Sequence, residues 1–103
     1  MKPYLILYDI SENKYRNKIA KEIIKRGLYR IQKSVFLGAT ISEKIDELEN
    51  IFTIHIQKTQ SVNDKLMIIP LDQYNLQQME IFLPDEEEFD LDFYLGQKVV
   101  IFI

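Results

Sequence analysis

Tyr4-Leu5-Ile6-Leu7-Tyr8-Asp9-Ile10 is an apolar run closed by a single carboxylate, and the turn residues Ser11-Glu12-Asn13 follow at once. A run of this length and composition predicts a buried strand. A strand end is a rigid place to hold a charged group. An aspartate there, next to a helix start, is a common position for a metal ligand or a catalytic acid. Arg16, Lys18 and Lys21 lie within three turns of it, so a carboxylate is expected beside a basic helix. That pairing suits metal-assisted chemistry on a phosphate backbone. Asp9 has a second reading, in which it only caps the helix start.

Outward from this strand, Tyr15, Ile19, Ala20, Ile23 and Ile24 recur at helical spacing and predict the buried stripe of a first helix from residue 13 or 14. Lys14, Lys18, Lys21 and Lys25 recur every three or four residues and line its exposed face. Arg26-Gly27 reads as the helix stop, with glycine after the last turn. Residues 29–40 are extended, and their length permits one kinked strand or two short ones; Gly38 is expected to loosen the end. Thr40-Ile41-Ser42-Glu43 matches a capping box. The helix behind it carries Ile45, Leu48, Ile51, Phe52 and Ile56 as its stripe and fades near Thr59. His55, off the centre of that stripe, reads as a surface histidine with a structural role and not as a ligand. Leu66-Met67-Ile68-Ile69 is a further strand, stopped by Pro70. Residues 73–83 are ambiguous, with a short strand at 79–83 as one reading. Residues 85–92 hold six acids in eight positions and read as a solvated segment. Val99-Val100-Ile101-Phe102-Ile103 is a last apolar strand.

With 103 residues, 47% of them hydrophobic and 28% charged, the chain is expected to form one globular domain with one modest core. It has no cysteine, which excludes disulfides and thiolate metal sites and fits a reducing cytoplasm. No apolar run approaches a membrane span, and no leader peptide is expected ahead of the first strand. The net charge of -3 disguises an asymmetry: residues 1–34 carry nine Lys/Arg and three Asp/Glu, whereas residues 79–103 carry one against seven. A basic surface with a separate acidic segment fits a nucleic-acid partner that overall charge alone would argue against.

The order strand, helix, extended segment, helix, strand predicts an α+β sandwich of the ferredoxin-like βαββαβ kind, with both helices on one face of a mostly antiparallel sheet. Strands with one wet face alternate apolar and polar residues. Leu5-Ile6-Leu7 and Leu66-Met67-Ile68-Ile69 do not. Two helices cover one face, so the simplest cover for the other is a second copy of the sheet. The apolar strand at 99–103 would be an aggregation-prone edge if left free, and is expected to pair with the partner subunit.

Three motifs together resemble the CRISPR-associated protein 2 family: the Tyr4 to Ile10 strand, Arg16-Asn17-Lys18 in the first helix, and Gly27-Leu28-Tyr29-Arg30-Ile31-Gln32-Lys33-Ser34-Val35-Phe36-Leu37-Gly38. The agreement runs through about Asp72; residues 73–97 form a variable acidic segment without a family signature. The resemblance implies a cytoplasmic ferredoxin-like homodimer with an extra C-terminal strand. Two copies of Asp9 would hold Mg²⁺ or another divalent metal across the two-fold axis. It further implies a component of spacer acquisition that binds duplex DNA and bridges subunits of the CRISPR-associated protein 1 integrase. Metal-dependent endonuclease activity on DNA or single-stranded RNA is part of what the family is described as doing. Arg16, Lys18 and Arg30 are then the nucleic-acid contacts, with lysine at 18 lacking the bidentate fork of the arginine found in many relatives. Tyr8 either orients Asp9 or belongs to the core; Phe36 reads as packing before base stacking; Ser34 satisfies backbone groups or bonds a phosphate. Two alternatives stand beside this: a toxin-type ribonuclease resembling virulence-associated protein D, and a non-enzymatic ferredoxin-like dimerisation module.

Overall fold

The structure, a computed structural model, describes residues 1–80. The expected strand at 99–103, the acidic segment at 85–92 and most of the segment 79–83 lie outside the described residues. The elements run β1 (Lys2–Asp9), α1 (Asn13–Lys25), β2 (Tyr29–Gln32), β3 (Val35–Thr40), α2 (Ser42–Thr59), β4 (Lys65–Pro70) and α3 (Gln73–Gln78). The sheet order is β2-β3-β1-β4, and every neighbouring pair is antiparallel. Each of the two large helices connects strands that have one strand between them, which is the split βαβ arrangement of the ferredoxin-like fold. Residues 29–40 form two strands, with Lys33 and Ser34 at the turn and a register irregularity between Arg30 and Gln32.

Side chains on β1 alternate across the sheet. Tyr4, Ile6 and Tyr8 point toward the helices and join Ile10, Ile19, Ala20, Ile23, Leu28, Phe36, Ile45 and Leu48 in the main core. Leu5 points the other way, into a second cluster with Leu37, Ile69, Leu71, Leu76 and Met79. The chain therefore covers part of its second face itself, where the sequence suggested only a second copy. α3 supplies this cover, with Asp72 capping it by accepting from the Asn75 amide at 2.7 Å. The next row of that face, Val35, Leu7 and Met67 in register, is left partly open, and Met67 is 56% exposed.

α1 ends as its sequence predicts. Gly27 has φ +97°, the Gly27 amide donates to the Ile24 carbonyl and the Leu28 amide to the Ile23 carbonyl, and Leu28 then packs in the same core as Ile23. This is the Schellman arrangement, and glycine adopts its left-handed residue without a Cβ penalty. Gly38 plays a different part from the loosened strand end expected of it. It is buried inside β3, and a Cβ there would lie 2.8 Å from both the Gly27 carbonyl oxygen and the Leu28 Cα. Its lack of a side chain lets the α1–β2 turn cross directly over β3. Arg26 then ties α1 to α2, donating to Glu22 at 2.5 Å and to Glu47 at 3.0 Å.

Three local expectations are corrected. The capping box does not form: Thr40 is the last residue of β3, buried and paired with Lys2, and Ile41 occupies the cap of α2 with no side-chain bond. Ile24 is 51% exposed, because it lies about 100° around the helix from Ile23 and outside the stripe that meets the sheet. His55 is not a surface residue; it is buried on α2 alongside Ile45 and Leu48.

Candidate functional site

Asp9 closes β1 on the face away from α1 and α2, the side shared by Leu5 and Leu7. It is exposed, and no described residue makes a hydrogen bond or ion pair with its carboxylate. The reading of Asp9 as a helix cap falls away, since Glu12 occupies the cap of α1 and makes no side-chain cap bond. Across the pair β1·β4, Asp9 is in register with Lys65, and Leu7 with Met67. These residues and Tyr8 line an apolar slot of about 150 Å³ with one acid and one base at its end. The slot adjoins the open row of the second sheet face.

The turn after Asp9 is held from two sides. Arg16 donates from Nη1 to the Ile10 carbonyl at 3.1 Å and to the Ser11 carbonyl at 3.4 Å, and from Nη2 to Asn13 Oδ1. On the other side, Asp64 Oδ1 accepts from the Ser11 amide at 3.1 Å and from the Ser11 hydroxyl at 3.0 Å. Asp64 Oδ2 lies 2.8 Å from His55 Nε2, with side-chain exposures of only 4% and 5%. The His55 hydrogen bond, followed by the Ser11 amide, holds the Asp64 carboxyl below the ordinary aspartate value of 3.8. An ionised Asp64 only accepts, so Nε2 carries the shared proton. His55 Nδ1 is buried without a partner. The ring sits between Tyr15 and Phe52, with centroids at 4.2 and 5.8 Å.

Tyr8 and Phe36 are core residues, their rings 5.9 Å apart, and Phe36 is fully buried. The Tyr8 amide donates to the Ser34 carbonyl at 3.1 Å and its hydroxyl reaches the Lys33 carbonyl at 3.5 Å. Ser34 thus serves β1 through its backbone. Arg30 is exposed on β2 with its guanidinium carbon 5.2 Å from the Phe36 ring centroid, a cation–π distance. Lys18 is exposed on α1. Together with Lys14 and Lys58 it lines a groove of about 220 Å³ between α1 and α2, whose walls include Tyr15, Ile19, Ile54 and His55.

The sequence placed Asp9 beside a basic helix; the fold keeps Arg16 at the turn that follows Asp9 but sends the other expected phosphate contacts to the far side of the sheet. Lys18 belongs to the helix layer, and Arg30 shares its sheet face with Phe36, its partner in register. Asp9 lies on the opposite face. Arg16 is half-buried, and its guanidinium is bonded to the turn. Asp64 and His55 were missed as site residues. The only sequence signal for them is an acid placed just before β4 and nine residues beyond a histidine in the helical stripe.

Among the described residues no group of three or more His, Cys, Asp or Glu side chains could hold a metal ion. On this sheet face the described residues of one chain offer the Asp9 carboxylate. That donor set fits a hard cation that keeps most of its waters, provided a second copy brings a second Asp9. No helix among the described residues is long and apolar enough to cross a membrane.

These features define a ferredoxin-like α+β protein in which, among the described residues, a lone carboxylate stands on an incompletely covered sheet face. The chain belongs to the CRISPR associated protein Cas2 family, whose model matches residues 1–79. It is 32% identical over 94 residues to a CRISPR-associated endoribonuclease Cas2 of Francisella tularensis subsp. novicida, spanning 90% of this chain and 93% of that protein. A CRISPR-associated endoribonuclease Cas2 of Korarchaeum cryptofilum is 31% identical over 67 residues, 65% of this chain and 69% of that one. The fold resembles a chain of a partial Cas6-RT-Cas1–Cas2 complex, with TM-score 0.65 and 24% identity over 79% of this chain and 90% of that one. It also resembles crystalline Streptococcus pyogenes Cas2, with TM-score 0.62 and 20% identity over 78% and 98% of the two chains.

Proposed function

We propose that the protein acts in CRISPR spacer acquisition as a homodimer that binds duplex DNA and joins Cas1-type integrase subunits, with a divalent metal held between two Asp9 carboxylates. The observation that carries this reading is the exposed Asp9, unpartnered among the described residues, beside the row Leu7, Val35 and Met67. An apolar row of this kind is a docking surface for a second copy, and docking there would bring a second Asp9 into the neighbourhood of the first. Membership of the Cas2 family and the likeness to a chain solved together with Cas1 support the integrase partnership.

The chemistry follows from the donor set. Mg²⁺, when bound, would lower the pKa of a coordinated water or stabilise an oxygen leaving a phosphodiester. The protein's own part is to present both carboxylates at the ends of paired strands and to gather phosphates. Lys18 and Arg30 project from the layer opposite Asp9 and would position a nucleic-acid backbone without reading its sequence. Arg16 contributes indirectly, by fixing the turn that carries the chain away from Asp9. Endonuclease action on DNA or RNA is the second element of the proposal, supported by the names of the relatives.

The test is co-sedimentation of the protein with the Cas1-type integrase from the same genome and a short DNA duplex. The expected result is one complex containing two copies of this chain. A monomer that neither joins the integrase nor retains duplex would refute it, and RNA cleavage by such a species would favour the toxin-type ribonuclease instead.

A further inference from the structure

Ser11 lies two residues past Asp9, and its amide and hydroxyl are both bonded to Asp64. Asp64 in turn is fixed by His55, whose ring is packed between Tyr15 and Phe52. A continuous path therefore runs from the α1–α2 packing through an imidazole and a carboxylate to the exit of β1. The Asp9 carboxylate itself is touched by no hydrogen-bonding group among the described residues. Its direction is thus set by the backbone that carries it. Among the described residues, the only side chains bonded to the backbone of residues 10 and 11 are Asp64 and Arg16.

We infer that His55 and Asp64 are positioning residues for Asp9, fixing through Ser11 the direction in which its carboxylate meets a divalent cation shared with a second copy. The inference rests on the metal reading above. Two buried polar side chains in a small core are expensive unless hydrogen-bonded, and here their bonds are spent on a turn that could have been closed more cheaply by a local Asx contact. Residues that orient metal ligands from outside the coordination sphere typically change metal affinity about 10- to 100-fold when removed.

The experiment is a Mn²⁺ titration, followed by electron spin resonance, on the folded full-length protein and on Ser11→Ala, Asp64→Asn and Asp64→Ala. Circular dichroism at the same temperature reports folding. Asp64→Ala should weaken Mn²⁺ binding about 10-fold or more. Asp64→Asn, which keeps an acceptor for Ser11, should restore most of it. Should Asp64→Ala fail to fold, Ser11→Ala carries the test, since Ser11 is exposed and loses one hydroxyl bond; a several-fold loss of affinity is expected. Folded variants that bind Mn²⁺ as the parent does would overturn the inference and leave the metal reading intact. A parent protein that binds no Mn²⁺ would overturn both.

Discussion

Replacing Asp64 by alanine removes three hydrogen bonds at once: the Ser11 amide at 3.1 Å, the Ser11 hydroxyl at 3.0 Å and His55 Nε2 at 2.8 Å. The two Ser11 groups are exposed and regain water, so their loss costs little. The imidazole does not. With Nδ1 already unpartnered, His55 would be left 5% exposed with neither ring nitrogen bonded. Leaving a buried donor without its acceptor costs roughly 1–3 kcal/mol, and this case is set at about 2 kcal/mol, because only the imidazole loses a partner that water does not replace. Against a total of ~5–15 kcal/mol for a domain of this size, that is a large fraction. Urea unfolding at pH 7 and fixed protein concentration reads it out. With a slope of ~1.5 kcal/mol per molar, a loss of about 2 kcal/mol should lower the midpoint by about 1.3 M. Asp64→Asn can still accept from Ser11 and donate to the opposite imidazole tautomer, so its midpoint should fall by less than half as much. An unchanged midpoint in Asp64→Ala would show that the pair stores no stability and that the reasoning about the buried imidazole is wrong.

Acid unfolding should carry the same signature, because the folded-state carboxyl titrates below 3.8: the contribution of Asp64 is complete above that pH and is lost as pH falls through the lowered value. The acid limb of the stability curve should therefore be shallower in Asp64→Asn than in the parent. Gly38→Ala should destabilise by about 1–3 kcal/mol, since the added Cβ would press on backbone atoms that have no rotamer to yield; thermal unfolding checks it. Lys18→Ala with Arg30→Ala should make the salt dependence of duplex binding shallower by about 0.9 for each phosphate that the protein no longer neutralises, with little change in stability. An unchanged salt slope would place the nucleic acid elsewhere.

The first strand and the two long helices were legible, the strand as a continuous apolar run from Tyr4 to Tyr8 and the helices from the helical period of Ile19 to Ile23 and Ile45 to Phe52. The division of residues 29–40 into two strands and the short α3 were not. Gly27 was legible too, since a helix that stops on glycine needs no tertiary information. What escaped depends on packing between distant residues. The lysine-rich helix and the carboxylate follow one another in sequence, yet strand alternation sends Asp9 to the opposite face, one residue after the core-facing Tyr8. Arg16 looks like a surface cation until the turn folds back to offer it two carbonyls. His55 is a polar interruption in an apolar stripe, and only the arrival of Asp64 at the start of β4 makes its burial tolerable. The open row on the second face illustrates a subtler limit. Non-alternating strands correctly signalled that both faces of the sheet are apolar, but not that Leu71, Leu76 and Met79 would cover one portion and leave the portion beside Asp9.

In the proposed dimer two Asp9 carboxylates, one from each copy, hold a single divalent cation. Equilibrium Mn²⁺ binding, measured on the parent and on Asp9→Asn with sedimentation of both, tests it most directly. Asparagine keeps the shape and removes the charge. The account predicts one ion per two chains for the parent, and loss of that binding in an Asp9→Asn protein that is still dimeric. One ion per chain, or undiminished binding by the Asp9→Asn dimer, would contradict it.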